Sequence, residues 1–381
     1  MLRVPKPKAL EFFAGGGLAR LGLACAFNTI WANDIDPAKA ASWVENFGET
    51  AFAFGDVHDL SAEAIPSADL AWASFPCQDL SLAGDRSGLN APRSGAFYGF
   101  TRIIGDLKTA GRAPKVLVLE NVSGLLTSHG GRDFEAVLQV LADLGYRAGA
   151  LEIDARLFVP QSRVRVFIVA FRHGVVPAPD LIAPALVAPL PSPFFTPALA
   201  RAWDALPPHL RAIHIKWNLA VPPQRNVQLG EIIDQNDQNW WPDHKSEAII
   251  ACFSPRHRQM LEFIQRSGTP SIGTIYRRTR TKSGIKRTFA EPRFDGVAGC
   301  LRTPGGGSSR QFWIFITGSK VCIRPINPRE AMRLMGVSDT YILPKGKLAG
   351  LKIAGDGVAV PVVSWLARGL LADLANAPQN H

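Results

Sequence analysis

The sequence predicts an α/β fold: a doubly wound parallel sheet with a smaller, irregular unit inserted late in the chain. Three observations predict it. Short apolar runs recur at 9–13, 29–32, 51–54, 70–74, 116–119 and 166–170, with helical patterns between them, which is the rhythm of parallel strands joined by crossover helices. After Phe171 the composition changes: nine prolines fall between Pro177 and Pro208, and the patterning stays weak from 202 to 322. Order returns at Arg324-Pro325-Ile326-Asn327-Pro328-Arg329-Glu330, where Asn327 as N-cap, Pro328 at the first helical position and Glu330 at the third make a strong helix start.

At 381 residues and 47% apolar content the chain can bury a large core and is long enough for two domains. It has no unbroken apolar stretch of membrane length, and Met1-Leu2-Arg3-Val4-Pro5-Lys6 leads into a strand rather than a signal peptide, so a soluble, intracellular protein is expected. The five cysteines are odd in number and widely spaced, with no CxxC pair, which suggests neither a disulfide framework nor a metal site. The net charge is +10, and its distribution says more than its size. From 254 to 333 there are 16 Lys and Arg against 4 Asp and Glu, a balance of +12 that leaves −2 for the rest of the chain. That concentration is the footprint of nucleic-acid binding; other anionic partners, or a solvated face, share it.

Taken in order, the run 9–13 enters Ala14-Gly15-Gly16-Gly17 and then a helical pattern from Leu18, the strand, glycine turn and helix that open a Rossmann-type unit. The run 29–32 ends at Asn33-Asp34-Ile35-Asp36. Asp34 lies at the distance from the glycines where an acid accepts from ribose hydroxyls; the alternative, a helix N-cap, is better filled by Asp36 before Pro37. The run 51–54 leads to Gly55-Asp56-Val57, another acid at a strand end. The run 70–74 closes on Phe75-Pro76-Cys77-Gln78. A cysteine at the carboxyl end of a buried strand is placed for reaction, although a free cysteine also serves as a small buried hydrophobe. Polar residues with Gly84, Gly88, Asn90 and Pro92 read as a loop, and Phe97, Phe100, Ile104 and Leu107 then share one face of a helix. The run 116–119 ends in Glu120-Asn121-Val122. A carboxylate at a buried strand end is costly unless it has a task, which is either chemistry or capping the next helix. After an amphipathic helix at 133–144, strand alternation places Arg163 and Arg165 on one face, where two guanidiniums need anions or an ion-pair network between them. In the insert, Arg277, Arg278, Arg280, Lys282, Lys286 and Arg287 set six cations within eleven residues with no acid among them.

Phe75-Pro76-Cys77-Gln78 resembles the nucleophile motif of the DNA cytosine-5 methyltransferases of bacterial restriction-modification type. The glycine turn, Asp34, Asp56, Glu120-Asn121-Val122, Gln161-Ser162-Arg163-Val164-Arg165, the glycine-rich stretch from Cys300 to Arg310, the Asn327 helix start and Gly355-Asp356-Gly357-Val358 follow in family order. The resemblance implies an S-adenosylmethionine methyltransferase sheet with an inserted target recognition domain. Residues 1–172 would be the first part of the catalytic and cofactor-binding domain, 173–320 the recognition domain, and 321–381 the segment returning to the catalytic domain. It implies transfer of a methyl group from S-adenosyl-L-methionine to carbon 5 of a flipped-out cytosine in a specific double-stranded DNA site, through a covalent Cys77 adduct. Glu120 would hold the ring nitrogen, Arg163 would support the nucleophile and Arg165 would contact the base. For the cofactor, Phe13, Ala14, Gly15, Gly17 and Leu18 would approach the methionine end, Asp34 the ribose, Ile35 the adenine ring, and Asp56 with Val57 the adenine amino group, with Pro76, Asp356 and Val358 completing the pocket. Ser81 and Arg93, in a loop that closes over DNA, would contact the duplex together with Arg278, Arg280, Lys282, Arg302 and Ser308. Two positions depart from the family pattern: Leu18 stands where a glycine is usual, and Asp356 where an asparagine is usual. A cytoplasmic, DNA-associated monomer, acting away from membranes beside a restriction endonuclease that reads the same site, is the expected setting. An RNA (tRNA) cytosine-5 methyltransferase of the same fold and a non-catalytic DNA-binding homologue are the alternative readings.

Overall fold

The apolar runs of the N-terminal half form one sheet. In this computed structural model, which describes residues 5–76, 95–183, 192–282, 285–303 and 310–379, the strands are β1 (Lys8–Phe12), β2 (Asn28–Asp34), β3 (Phe52–Phe54), β4 (Leu70–Ala73), β5 (Val116–Val122), β6 (Tyr146–Asp154) and β7 (Val164–Arg172). They lie in the order β3-β2-β1-β4-β5-β7-β6. The first five pair in parallel, whereas β7 runs antiparallel to both β5 and β6, so the parallel sheet expected from the sequence carries an antiparallel edge. The order reverses between β1 and β4, and in such sheets ligands bind outside the carboxyl ends at that switch point. Because Phe12 sits opposite Ala73, the glycine turn after β1 and the Phe75-Pro76 segment after β4 leave the sheet side by side.

Helices α1 (Leu18–Leu23), α2 (Pro37–Phe47), α3 (Ala96–Thr109), α4 (Arg132–Asp143), α5 (Pro197–Asp204) and α6 (Pro208–Ile213) accompany this sheet. Asp36 caps α2 by accepting from the Ala38 and Lys39 N–H groups, as its place before Pro37 predicts. Phe97, Phe100, Ile104 and Leu107 of α3 are fully buried with Leu10, Phe12, Leu117 and Leu119, each such side chain contributing about 1.5–3 kcal/mol. The core also takes Leu199, Trp203, Leu206 and Leu210, which the composition change had assigned to the insert. The prolines there start helices rather than break them: Pro197 follows the N-cap Thr196, and Pro208 opens α6.

The chain accordingly forms two compact units, one of Met1–Asp154, Val164–Pro222 and Val362–His381, and a second of Ala155–Arg163 and Pro223–Pro361. The long segment of the second unit thus begins about fifty residues later than the composition change and runs to 361, where the sequence had placed the return at 321. In the first unit the last helical segment packs back: Ser364 Oγ donates to the Gly22 carbonyl at 3.1 Å and Lys115 Nζ to that of Ala375 at 3.2 Å. The stretch Lys347–Asn376 is apolar and long enough to cross a membrane by composition, but just over half of its most apolar window is buried inside the protein.

The second unit is built on α7 (Asp243–Ile250), α8 (Pro255–Ser267), β8 (Ser271–Lys282), β9 (Ile285–Arg293), β10 (Gln311–Thr317), β11 (Lys320–Pro325), α9 (Pro328–Leu334) and α10 (Lys347–Asp356). Its antiparallel sheet runs β11-β10-β8-β9 and buries Ile275, Phe312, Ile314 and Ile323 with Ile249 and Leu261 from the helices. Below it lies a buried ion pair. Arg324, with no exposed surface, donates to Glu330 Oε1 at 2.6 Å and Oε2 at 2.9 Å, and Glu330 also accepts from Trp313 Nε1 and from the Asn327 and Asp234 N–H groups. The expected start of α9 is present as a capping box between Asn327 and Glu330.

One buried histidine makes the first unit sensitive to acid. His214 Nδ1 accepts from the Ala148 N–H at 3.1 Å and Nε2 donates to the Leu138 carbonyl at 3.1 Å, an arrangement that needs the neutral ring. Burial, reinforced by the positive Arg147 and by His173, lowers its pKa from 6.5 to about 4. Between those values the unfolded chain binds the proton and the folded chain does not, so the stability conferred above pH 6.5 is lost as pH falls toward 4. The loss is expected to approach about 3 kcal/mol. Urea unfolding at pH 7 and pH 5 checks it, and a His214→Gln chain, which does not titrate, should show a smaller difference.

Candidate active site

The carboxyl edge of the first unit's sheet is shaped by backbone. Phe13, Gly15 and Gly17 all have positive φ, at 55°, 56° and 78°. At Gly17 the conformation and the space both require glycine, since a Cβ would overlap the rings of Phe47 and Trp43. Leu18, in the position of the missing glycine, is the first residue of α1 and has its side chain buried, so what it offers outward is backbone. Ala14 N–H donates to the Asn33 carbonyl at 2.9 Å, fixing the turn to β2. The Asp34 carboxylate does the same with both oxygens, Oδ2 accepting from Gly15 N–H at 2.7 Å and Oδ1 from Asp36 N–H at 2.8 Å. Those bonds aim the carboxylate and leave it further lone pairs for a ligand hydroxyl. Asn33 Nδ2 spans to the Ala53 and Gly55 carbonyls, and Asp56, just beyond, accepts from His58 N–H while Val57 is buried. Two large apolar side chains on these strand ends are exposed: Ile35 at 59% and Phe54 at 60%.

The next two strand ends are tied together. Asn121 Nδ2 donates to the Phe75 carbonyl at 3.1 Å, which fixes the chain entering Pro76 beside the end of β5. Glu120, one residue earlier, is 5% exposed, and its Oε1 pairs with Arg165 Nε at 3.2 Å. The pair is diagonal across the β5–β7 ladder, where Glu120 faces Phe167 and Arg165 faces Val122. A buried carboxylate facing a guanidinium at the switch-point edge is a fixed acceptor with a defined orientation.

Arg163 is held by other partners. Strand β7 begins at Val164, so alternation does not extend to Arg163, and its buried guanidinium donates instead to the carbonyls of Leu301 (2.8 Å), Gly355 (2.9 Å) and Gly357 (2.5 Å) within the second unit. Gly355 is demanded by that closeness, since a Cβ there would meet the Arg302 and Thr303 backbone. Asp356 is the last residue of α10, and its carboxylate accepts from the Thr303 hydroxyl; Val358 is buried. The basic run lies on the β8–β9 hairpin, and it is less uncompensated than its sequence suggests. Arg278 forms an ion pair with Glu291 of the neighbouring strand, and Arg277 lies over the Phe312 ring. Arg302 is exposed, with its guanidinium 5.9 Å from the Tyr276 ring centre. Cys77, Ser81, Arg93 and Ser308, and the side chains of Arg280 and Lys282, lie outside the described residues.

Compared with known proteins, the sequence matches the family described as C-5 cytosine-specific DNA methylase over residues 8–372. The chain belongs to that family. Among named relatives, it is 34% identical over 375 residues to the Type II methyltransferase M.MspI of Moraxella sp, covering 98% of this chain and 72% of that one. It is 34% identical over 358 residues to M.NgoBI of Neisseria gonorrhoeae, covering 93% and 90%. The fold is also that of the S. pombe Dnmt2 methyltransferase (TM-score 0.55, 16% identity, 95% and 97% covered) and of the Entamoeba histolytica methyltransferase EhMeth (TM-score 0.56, 15% identity, 95% and 97% covered).

In this methylase one buried acid close to the glycine turn escapes the motif reading. Glu11 sits inside β1, two residues before the glycine turn, and is almost completely buried. Its Oε1 accepts from the Arg20 N–H at 3.2 Å, and among the described residues Oε2 has no partner. Burial pushes the carboxyl up to about 8, so near neutrality it is largely protonated. The signal available in the sequence is an acid interrupting an apolar strand just before the turn.

Proposed function

We propose that the chain transfers a methyl group from S-adenosyl-L-methionine to carbon 5 of a cytosine flipped out of a specific site in double-stranded DNA. It would act through a bond from Cys77 sulfur to carbon 6, as a monomer beside a restriction endonuclease that reads the same site. The observation that carries this reading is the Asn121–Phe75 bond, which sets the strand end leading to Pro76-Cys77 against the strand end bearing the buried Glu120–Arg165 pair.

The sheet edge fits the cofactor. A Cβ at the left-handed Gly15 would meet only the side chain of Lys39, at 4.0 Å, the fixed Asp34 carboxylate has lone pairs for ribose hydroxyls, and the exposed Ile35 and Phe54, next to the paired Asp34 and close in sequence to Asp56, would offer apolar surface for an adenine ring with an acceptor for its amino group. When bound, S-adenosylmethionine supplies an electrophilic methyl group. The protein's task is to make carbon 5 nucleophilic. Cys77 as thiolate would add to carbon 6 while the 5,6 double bond opens, and Glu120, steadied by Arg165, would share a proton with the ring nitrogen and so neutralise the negative charge that moves there. Carbon 5 then has enamine character and takes the methyl group. Loss of its proton to a base restores the double bond and expels the thiolate. Since these atoms lie inside a duplex stack, the base must leave it, at a cost of a few kcal/mol of unstacking.

Bisulfite sequencing of DNA from cells that express the chain tests the reading. Protected cytosines in a single short context are expected. Protection nowhere in the DNA, together with transfer of labelled methyl groups to tRNA, would overturn it.

A further inference from the structure

Asp56 lies beyond the end of β3, in a turn rather than in the sheet, so strand pairing does not fix its carboxylate. Within the turn, Asp56 Oδ1 accepts from His58 N–H at 2.9 Å and the Asp56 carbonyl accepts from Asp59 N–H at 3.0 Å. These bonds close the turn on itself. What ties it to the rest of the unit is α3.

Two residues of that helix act on the turn. Arg102 Nη2 donates to the carbonyls of Leu60 at 2.8 Å, His58 at 3.2 Å and Val57 at 3.4 Å, while Nη1 pairs with Asp106 at 3.0 Å. Carbonyls turned toward one point repel one another, and a guanidinium at that point offsets the repulsion. Gly99 allows the close approach, since a Cβ there would lie 2.7 Å from Val57 Cγ1 and 3.0 Å from His58 Cε1. Val57 is buried and β-branched, so it has little freedom to turn aside. Arg112, beyond the end of α3, holds only the following stretch, through the carbonyls of Ala62 and Ile65. The Arg102 side chain is 43% exposed, so water can reach the carbonyls if the guanidinium is removed. The fold would then lose little, but the turn would lose its fixed geometry.

We propose that Arg102 is a positioning residue for adenine recognition: by gathering the 57–60 carbonyls against α3, it holds Asp56 where its carboxylate accepts from the adenine amino group. The inference rests on the reading that S-adenosyl-L-methionine binds at this sheet edge, and it names a residue that sets selectivity there without touching the ligand.

Calorimetric titration of the full chain with S-adenosylhomocysteine and with S-inosylhomocysteine, in which a carbonyl oxygen replaces the adenine amino group, reads the placement of Asp56 without requiring activity. The wild type is expected to prefer the adenosyl ligand at least about tenfold, because the inosyl ligand brings an acceptor to a carboxylate. Arg102→Met keeps an aliphatic stem and removes the donors. Its preference should fall to about threefold or less, since a loosened turn holds the amino group less well and can shift to meet the ring N–H of the inosyl ligand. Arg102→Lys, which keeps a cation near the carbonyls, should fall between the two. Gly99→Ala, which forces helix and turn apart, should lose preference as Arg102→Met does, whereas Asp106→Asn removes only an exposed ion pair and should keep it. A purely structural role would weaken both ligands alike. A ratio unchanged in Arg102→Met and Gly99→Ala therefore overturns the proposal, as does a wild type that does not distinguish the ligands. If Arg102→Met does not fold, Arg102→Lys and Gly99→Ala decide by the same ratio. A wild type that binds neither ligand counts against the proposed function as well, whereas tight binding with an unmoved ratio counts against Arg102 alone.

Discussion

Cys77→Ala is expected to lower methyl transfer to duplex DNA by at least about a thousandfold while leaving duplex affinity within a few-fold of wild type. The large effect follows from the chemistry. Without a sulfur–carbon 6 bond, carbon 5 stays an unreactive position of an aromatic ring, and the Glu120–Arg165 pair polarises a base that cannot respond. Affinity is spared because a single thiol makes no phosphate contact. A duplex carrying 5-fluorocytosine at the target should trap the wild-type chain covalently, since fluorine cannot depart as a proton, and should release the Ala variant. Turnover by Cys77→Ala above about one per cent would sink the covalent route.

The largest effect on stability is expected at Arg324→Met. The substitution leaves the Glu330 carboxylate fully buried with its neutral donors Trp313, Asn327 and Asp234 N–H but without its cation. Removing one partner of a buried pair costs about 3–5 kcal/mol. The same guanidinium also bonds Asp237 and lies over Trp240, so the damage reaches the segment ahead of α7 in the second unit. Denaturant unfolding should show the loss, and duplex binding should fall at least tenfold. S-adenosylmethionine binding, which the proposed function assigns to the ends of β1 to β3 in the first unit, should change little. A variant with wild-type unfolding would mean that the neutral donors alone satisfy Glu330.

Much of the first unit is legible in the sequence because its signals are local. A glycine turn after an apolar strand, Asp36 before Pro37, and Glu120 at the end of 116–119 each announce themselves within a few residues, and each lies at the sheet edge expected of it. Arg163 and Arg165 were not legible as separate devices. Alternation applies only within a strand, and β7 starts between them; the carbonyls that hold Arg163 lie more than a hundred positions away in sequence. The hairpin β8–β9 reads as weak patterning because cations stand at both phases of its alternation: Arg277 falls in step with the buried Ile275, and Arg278 falls in the other phase. Prolines misled for a related reason. Their count argues against helix, but their positions, at the first residue of α5 and α6, favour it.

The return of residues 362–381 to the first unit sets the timetable of synthesis. About 140 residues of the second unit separate that segment from Pro222. At roughly 5–20 residues per second, a ribosome needs about 7 to 28 s to cross them. During that interval the glycine turn and the sheet edge have left the tunnel, while the surfaces that receive Ser364 and Ala375 stay bare. The nascent chain therefore passes through a stage in which the second unit can fold before the first is closed. Residues 362–376 are thus the closing piece of the first unit, and until they emerge the surface that Leu366, Leu370 and Leu374 pack against stays open to water.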